Sequence, residues 1–354
     1  MSGSFAFSVG ETAEVVLTNG DTKDVNIMTI GGANLTAFVG QHAPYWTDLD
    51  DDGTVDDGEL NDESIGLAIT DVDVGLMIRS SKDLLNPGQY FAGKFTAESL
   101  ALVGVDNVQA EISHVDVEFN AGAGIFDGIA AVDFKASFPE GDRDGDGDIE
   151  PEGYELDTGN SAQPIVLAYD TVNFFAQLAG KLIVVDDSGE QLARLSGAFS
   201  LRVVLDDTPS VELFARVDLE IGPPSINLFD MSATGVFFLN EAGIAADLEV
   251  TISAGDPSLI SFDAEFRLVL NFTEMDQEFN VPPQFIGGGY LTQDFIDELE
   301  PTTDLTDGTQ SAEVSRHHIR KPDRRAAERR VDSQCRPGVR VERFGRWGCG
   351  HRQR

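Results

Sequence analysis

The sequence predicts an all-β protein, a long antiparallel β-meander with sandwich-like sheets, and three observations carry that prediction. Apolar and polar residues alternate with period two over long stretches. Turn signals separate those stretches about every 14 to 20 residues in the second half of the chain. No interval between turns leaves room for the crossover helix that a parallel sheet requires. A parallel β-solenoid is the alternative architecture, although no fixed short repeat is visible.

Taken in order, FAFSVGETAEVVLTN, IGLAITDVDVGLMI and VQAEISHVDVEF read as strands in the first 135 residues. In the last of them Val108, Ala110 and Ile112 share one phase, and Val115, Val117 and Phe119 share the other. A β-bulge near Ser113-His114 reconciles the two. Further on, Leu195, Gly197, Phe199, Leu201, Val203 and Leu205 alternate with polar neighbours, as do Val211 to Ile221 and Phe262 to Phe272. Such runs place one face on a core and the other in water. The turns between them are Asp187-Ser188-Gly189, Asp207-Thr208-Pro209, Gly222-Pro223-Pro224, Asn240 to Gly243, and Gly255-Asp256-Pro257. One short helix is predicted over 291–300, with Thr292 as its cap and Phe295, Ile296 and Leu299 on its apolar side.

The 354-residue chain is long enough for one large or two ordinary domains. It has no run of about 18 apolar residues, so no membrane span is expected. Its N-terminus lacks a basic region followed by an apolar stretch, which predicts no secretory signal; the protein is exported otherwise or is an internal piece of a longer chain. The formal net charge is -38, distributed unevenly. From Glu313 onward basic residues outnumber acidic ones 13 to 5, whereas the preceding 312 residues hold 57 acidic and 11 basic groups. Cys335 and Cys349 both lie in the basic part. The acidic body therefore has no disulfide, thiolate metal site or cysteine nucleophile. Such a body repels nucleic acid and anionic membranes and attracts divalent cations, although solubility in salty surroundings is a sufficient reason for its overall charge.

Residues 48–59, DLDDDGTVDDGE, carry a more specific signal. Calcium takes six to eight oxygens, and a twelve-residue EF-hand loop supplies them from positions 1, 3, 5, 7, 9 and 12, with Gly at 6. Asp48, Asp50 and Asp52 fill the first three positions. Gly53 allows the bend, Thr54 offers its carbonyl, Val55 anchors the loop, Asp56 binds directly or through water, and Glu59 supplies two carboxylate oxygens. The bland alternative is a solvated acidic loop. The flanks read as non-helical before the loop and strand after it, so the likeness to an EF-hand covers these twelve residues. It is similar to the isolated calcium loops of dockerin-like and other extracellular modules, which implies a structural ion rather than a sensor.

Residues 142–155, DRDGDGDIEPEGYE, repeat part of that pattern. Asp142, Asp144, Asp146 and Asp148 take positions 1, 3, 5 and 7, with Gly147 at 6, Ile149 at 8 and Glu150 at 9. Position 12 is Gly153. Glu152 or Glu155 substitutes as the last ligand only on a different loop path, and a flexible acidic hairpin is the alternative. The segment 139–160 also reads as the linker between a β-rich unit (1–138) and a β-meander unit (161–305).

No catalytic constellation is apparent, and the chain is not expected to be an enzyme. His42 and His114 have no serine or cysteine partner suggested by local sequence, and no GxSxG, HExxH or phosphate-cradling loop occurs in context. Acid pairs for glycoside hydrolysis are not excluded among so many carboxylates. Tyr45 and Trp46 either stack on a sugar ring or pack the first loop on the sheet. The tail, 306–354, is Arg-rich and shows neither strand nor helix periodicity. It reads as a basic binding tail, as disorder, or as an out-of-frame continuation; nucleic acid is not an expected partner, because the tail would sooner dock on its own acidic body. The same reservation applies to a Cys335–Cys349 disulfide and to His317, His318 and His351 as ligands.

FSVGETAEVVLTN, GGANLTAFVG, APYWTDLDDDGTV, IGLAITDVDVGLM and ALVGVDNVQAEISHVDVEF, followed by DGDGDIEPEGYELDTG and a meander, resemble repeat units of very large bacterial exoproteins and surface proteins. The resemblance implies a repetitive, calcium-dependent structural or adhesive role, extracellular or at the cell surface. Calcium is then the cofactor, and neighbouring repeats or surface glycans are the partners. A carbohydrate-binding module or glycoside-active enzyme is the alternative reading.

Overall fold

The computed structural model describes residues 2–47, 59–83, 85–124, 128–142, 149–206, 208–223, 228–256, 260–273, 277–281, 285, 290–291, 300–303 and 313–319. Five long strands come first: β1 (Ser2–Leu17), β2 (Thr22–Gln41), β3 (Ile65–Ser81), β4 (Gly88–Val103) and β5 (Val108–Gly124). An excursion follows, with β6 (Val132–Asp133), the single-turn helix α1 (Phe134–Ser137), β7 (Tyr154–Leu156) and β8 (Ile165–Leu167). Six more long strands complete the main body: β9 (Asn173–Val185), β10 (Gln191–Val204), β11 (Ser210–Ile221), β12 (Phe229–Asn240), β13 (Gly243–Asp256) and β14 (Ile260–Asn271). The last elements are β15 (Gln277–Val281), β16 (Glu300–Thr303) and β17 (Glu313–Ile319).

The long strands and β6 form one twelve-stranded sheet in the order β14, β13, β12, β11, β10, β9, β5, β4, β3, β2, β1, β6. Every neighbouring pair is antiparallel, which removes the solenoid alternative. The five predicted turns fall between consecutive strands from β9 to β14. In the first of these, Asp186 accepts from the backbone N–H of Ser188 and Glu190 through its carboxylate, and Gly189 adopts φ 83. The predicted bulge is present as a register shift between Ser113 and Asp116, with His114 at φ 52. Because of it, Ile112 pairs with Gly180 and Val117 with Ala176, and both end on the same face. The sheet runs from β5 directly into β9, so it continues across the segment 139–160 that reads as a linker.

Register decides which residues share a face. One face is apolar: Leu178, Phe199, Ala215, Gly235, Leu248 and Leu268 are successive cross-strand partners from β9 to β14. The other face is polar, with cross-strand charge pairs such as Lys94–Glu118 and Lys181–Glu111 at 2.8 and 2.9 Å. The covering segments pack on this polar face, around islands of apolar residues. Val15, Val25, Met77, Tyr90 and Ala92 are buried beneath Val132, Phe134, Leu156 and Leu167 of the excursion. Ala179, Phe214, Val236 and Phe238 are buried beneath Phe279, Val281, Phe285 and Tyr290, with Phe214 and Phe279 stacked at 4.9 Å. The alternation predicts one face of each strand on the core; the covering segments take the face opposite the apolar one.

The sheet curls around that polar face. Thr18 and Asn19 of the β1–β2 turn line a cavity of ≈ 520 Å³ together with Leu205, Asp206 and Pro209 of the β10–β11 turn. Four strands separate β2 from β10, and a flat sheet would hold them about 24 Å apart. Of the helix expected over 291–300, residues 292–299 lie outside the described residues, and Glu300 opens β16. Glu313–Ile319, which carries no strand periodicity, pairs with β15 and β16.

Candidate functional site

The two acidic loops leave the sheet region through stems that the structure describes in detail. The first begins at the end of β2. His42 takes a left-handed φ of 58, and its ring Nδ1 lies 2.9 Å from the carbonyl of Glu63. Asn61 buckles the stem: its side-chain amide donates to the carbonyls of His42 and Pro44 at 2.8 and 3.1 Å. The Ser64 hydroxyl donates to the His42 carbonyl at 2.8 Å, and Ser64 is buried. Two further bonds draw the strands of the stem together, Asn61 N–H to Tyr45 O at 2.8 Å and Thr47 N–H to Glu59 O at 3.2 Å. Trp46 bridges to Leu60 in the antiparallel sense.

This stem sets where the predicted ligands start and stop. Asp48, Asp50, Asp52, Thr54 and Asp56 lie outside the described residues. Glu59 is described, and its backbone is hydrogen-bonded to the residue before Asp48. Thr47, which precedes the first position, and Glu59 at the last are thereby held together at the mouth of the loop. Tyr45 and Trp46 pack with the stem: Tyr45 stacks on Phe38 at 5.7 Å and meets Trp46 edge-on at 5.0 Å.

The second loop is closed differently. Gly141 and Glu150 exchange two backbone hydrogen bonds of 3.2 and 3.1 Å, and Gly153 N–H donates to Phe138 O at 2.8 Å. Gly141 and Glu150 form an isolated antiparallel bridge that closes the loop, and this closing pair falls at position 9 rather than 12. Asp144, Asp146 and Asp148 are enclosed by that pair and lie outside the described residues; Asp142 stands at its edge. Glu152 falls outside the closing pair, where its charge reaches Lys135. Lys135 in turn pairs with Asp170 at 2.8 Å. Glu155 is in β7, opposite Val166. Glu150, at the closing pair, is nearer in sequence to the enclosed acids than either.

The absence of an acid at position 12 has a steric reason. Gly153 has φ 107, and a Cβ there would lie 2.6 Å from the carbonyl oxygen of Leu167. No side chain fits, so the usual bidentate ligand has no place at this point of the chain. Among the described residues no group of three or more His, Cys, Asp or Glu side chains is gathered as a metal site.

The two body histidines are structural in their surroundings. His42 belongs to the first stem, and the His114 ring stands edge-on to Tyr290 at 5.7 Å. Tyr290 also bonds to the hydroxyl of Ser113, which ties a covering segment to the bulge. Arg79 is the polar group that sequence reasoning missed. It is 1% exposed, lies 4.5 Å from the Phe134 ring centroid and 5.2 Å from that of Phe138, and burial lowers its pKa to about 9. None of its three guanidinium nitrogens has a hydrogen-bond partner among the described residues. Beside it, burial and the hydrogen bond to Glu11 push the Tyr154 hydroxyl up to about 12. Nothing local in MIRSS marks Arg79 as buried; only the partners brought over it by the excursion do.

No protein-family model, curated protein or solved structure matches this chain.

Proposed function

We propose that the chain is a calcium-braced structural module, part of a larger extracellular or cell-surface protein, in which Asp48 to Glu59 forms the principal ion site. The observation that supports it best is the combination of ligand spacing with loop closure. Oxygen-bearing residues recur at the spacing that calcium coordination requires, and a hydrogen bond from Thr47, the residue before Asp48, to Glu59 closes the mouth of that segment. Carboxylates crowded in one loop repel each other, and a divalent cation that bridges them binds the folded chain in preference to the unfolded one. Binding free energy then adds to folding stability. Asp142, Asp144, Asp146 and Asp148 form a second, weaker site, with Glu150 at its mouth. A structural ion in an extracellular module binds at about 10⁻⁴–10⁻³ M.

The test is thermal melting of the full chain in millimolar calcium and in chelator. The reading requires a higher melting temperature with calcium and a much smaller shift in the Asp48→Ala/Glu59→Ala variant. Identical melting curves in calcium and chelator would count against it.

A further inference from the structure

The apolar face of β9–β14 is unbroken. Every cross-strand pair on it, as far as Ala254–Phe262 at the β13–β14 end, is made of Ala, Val, Ile, Leu, Met, Phe or Gly. It is also open: Leu178, Leu182 and Leu195 are 37 to 41% exposed, and the covering segments that bury the two apolar clusters lie on the other face. Gly180 and Gly197 are cross-strand partners on its β9–β10 side. Without side chains they floor a trough of ≈ 400 Å³, walled by Leu182 and Leu195 on one side and Leu178 and Phe199 on the other. The two walls are four residues apart along each strand, about 13 Å between backbones, which leaves the width of one hydrocarbon chain between their side chains.

We propose that this face binds lipid hydrocarbon, with the trough over Gly180 and Gly197 holding an acyl chain of a zwitterionic phospholipid. Area and polarity together choose this occupant. Thirteen large apolar side chains of β9–β14 are exposed on the face, on the order of 1,000 Å² of surface, where a soluble monomer usually shows a few hundred. An area of that size suits a second copy of the chain as well. A protein interface, however, carries about one hydrogen bond per 100–200 Å², which asks for on the order of ten hydrogen-bonding groups. The side chains of this face, as far as the Ala254–Phe262 pair, supply none, and hydrocarbon asks for none. The charge distribution selects the headgroup. Ion pairs such as Lys181–Glu111 and Arg216–Asp218 are confined to the opposite face, and a chain of net charge -38 repels anionic lipid. The inference is independent of the calcium loops.

The experiment is flotation of the full chain with phosphatidylcholine vesicles on a density gradient, in calcium and in chelator. The chain is expected to float with the vesicles in both. The Leu182→Glu/Leu195→Glu variant, checked by far-ultraviolet circular dichroism, is expected to lose at least tenfold in partitioning. Phe199→Trp keeps the face apolar and covers the case in which the double variant does not fold. Its added fluorescence is expected to be quenched by phosphatidylcholine brominated on the acyl chains, beyond the quenching of the parent chain. The proposal is overturned if the parent chain stays unbound, if the folded double variant floats equally, or if Phe199→Trp is unquenched. It is equally overturned if the parent forms a dimer without binding vesicles and the double variant abolishes that dimer, which would give the face to a second copy.

Discussion

The backbone N–H of Thr47 donates to the carbonyl of Glu59 at 3.2 Å, across the mouth of a segment whose carboxylates recur at calcium-ligand spacing. A chelating loop needs its first and last ligands at the same ion. Closure by the backbone supplies part of that proximity before any ion binds, so less ordering entropy opposes binding. The groups that hold the stem shut therefore matter to the site although they are not ligands.

Asn61 is the clearest of these. Its amide makes two bonds to backbone carbonyls, and its Oδ1 accepts from Glu63 N–H at 3.0 Å. Asn61→Ala is expected to lower stability by about 1–2 kcal/mol and to reduce the calcium-induced rise in melting temperature. Calorimetry of the variant with and without calcium checks both effects; an unchanged calcium shift would separate the stem from the site.

Gly153 provides a test in the second loop. Placing an acid at position 12 improves the match to the calcium pattern on paper. With φ 107 and a Leu167 carbonyl 2.6 Å from any Cβ, Gly153→Asp is expected instead to destabilise by roughly 1–3 kcal/mol. A denaturant titration measures this, and a gain in calcium affinity without loss of stability would contradict the steric account.

Arg79 is held under Phe134 and Phe138 with its donors unpaired among the described residues, and burial lowers its pKa to about 9. A base whose folded pKa is depressed penalises the fold while it is charged, so at neutral pH this guanidinium costs stability. Contact with the aromatic faces offsets part of the cost. Arg79→Met keeps the packed stem and removes the charge. It is expected to match or exceed the parent in stability, by about 1–2 kcal/mol at neutral pH, in a denaturant titration. A clear loss would show that the aromatic contacts outweigh desolvation.

Asp116 lies on the polar face next to Glu118 and Lys94. Burial, and then the negative charge of Glu118, raise its pKa, while Lys94 opposes them. Its Oδ1 is buried without a hydrogen-bond partner among the described residues. A carboxyl raised in the fold favours the protonated state. Its contribution is complete below the unfolded value and is lost as pH rises through the folded one. Asp116→Asn, neutral throughout, is expected to flatten the fall in stability above about pH 4 and to melt higher than the parent at neutral pH. Denaturation series across that range decide it.

The strands were legible because period two and turn chemistry are both local. Leu195 to Val203 announces a strand, and Asp187-Ser188-Gly189 announces its boundary, whatever surrounds them. The bulge at His114 was legible for the same reason, since two apolar phases in one run have to be reconciled. What covers a face is not local. Val132, Phe134 and Leu156 reach the polar side of β1–β4 through a long excursion, and nothing in the alternation of β3 says that Met77 rather than Leu76 is buried. The loop ligands were readable by spacing. Asn61 and Ser64 were not, because their role comes from backbone carbonyls brought near by the turn at His42.

Equilibrium dialysis of the full chain against calcium addresses the central claim most directly. Saturable binding at about millimolar calcium or below, reduced by the Asp48→Ala/Glu59→Ala change while the variant keeps its circular dichroism spectrum, is the predicted result. Absence of saturable binding at several millimolar, or binding indifferent to that change, would contradict it.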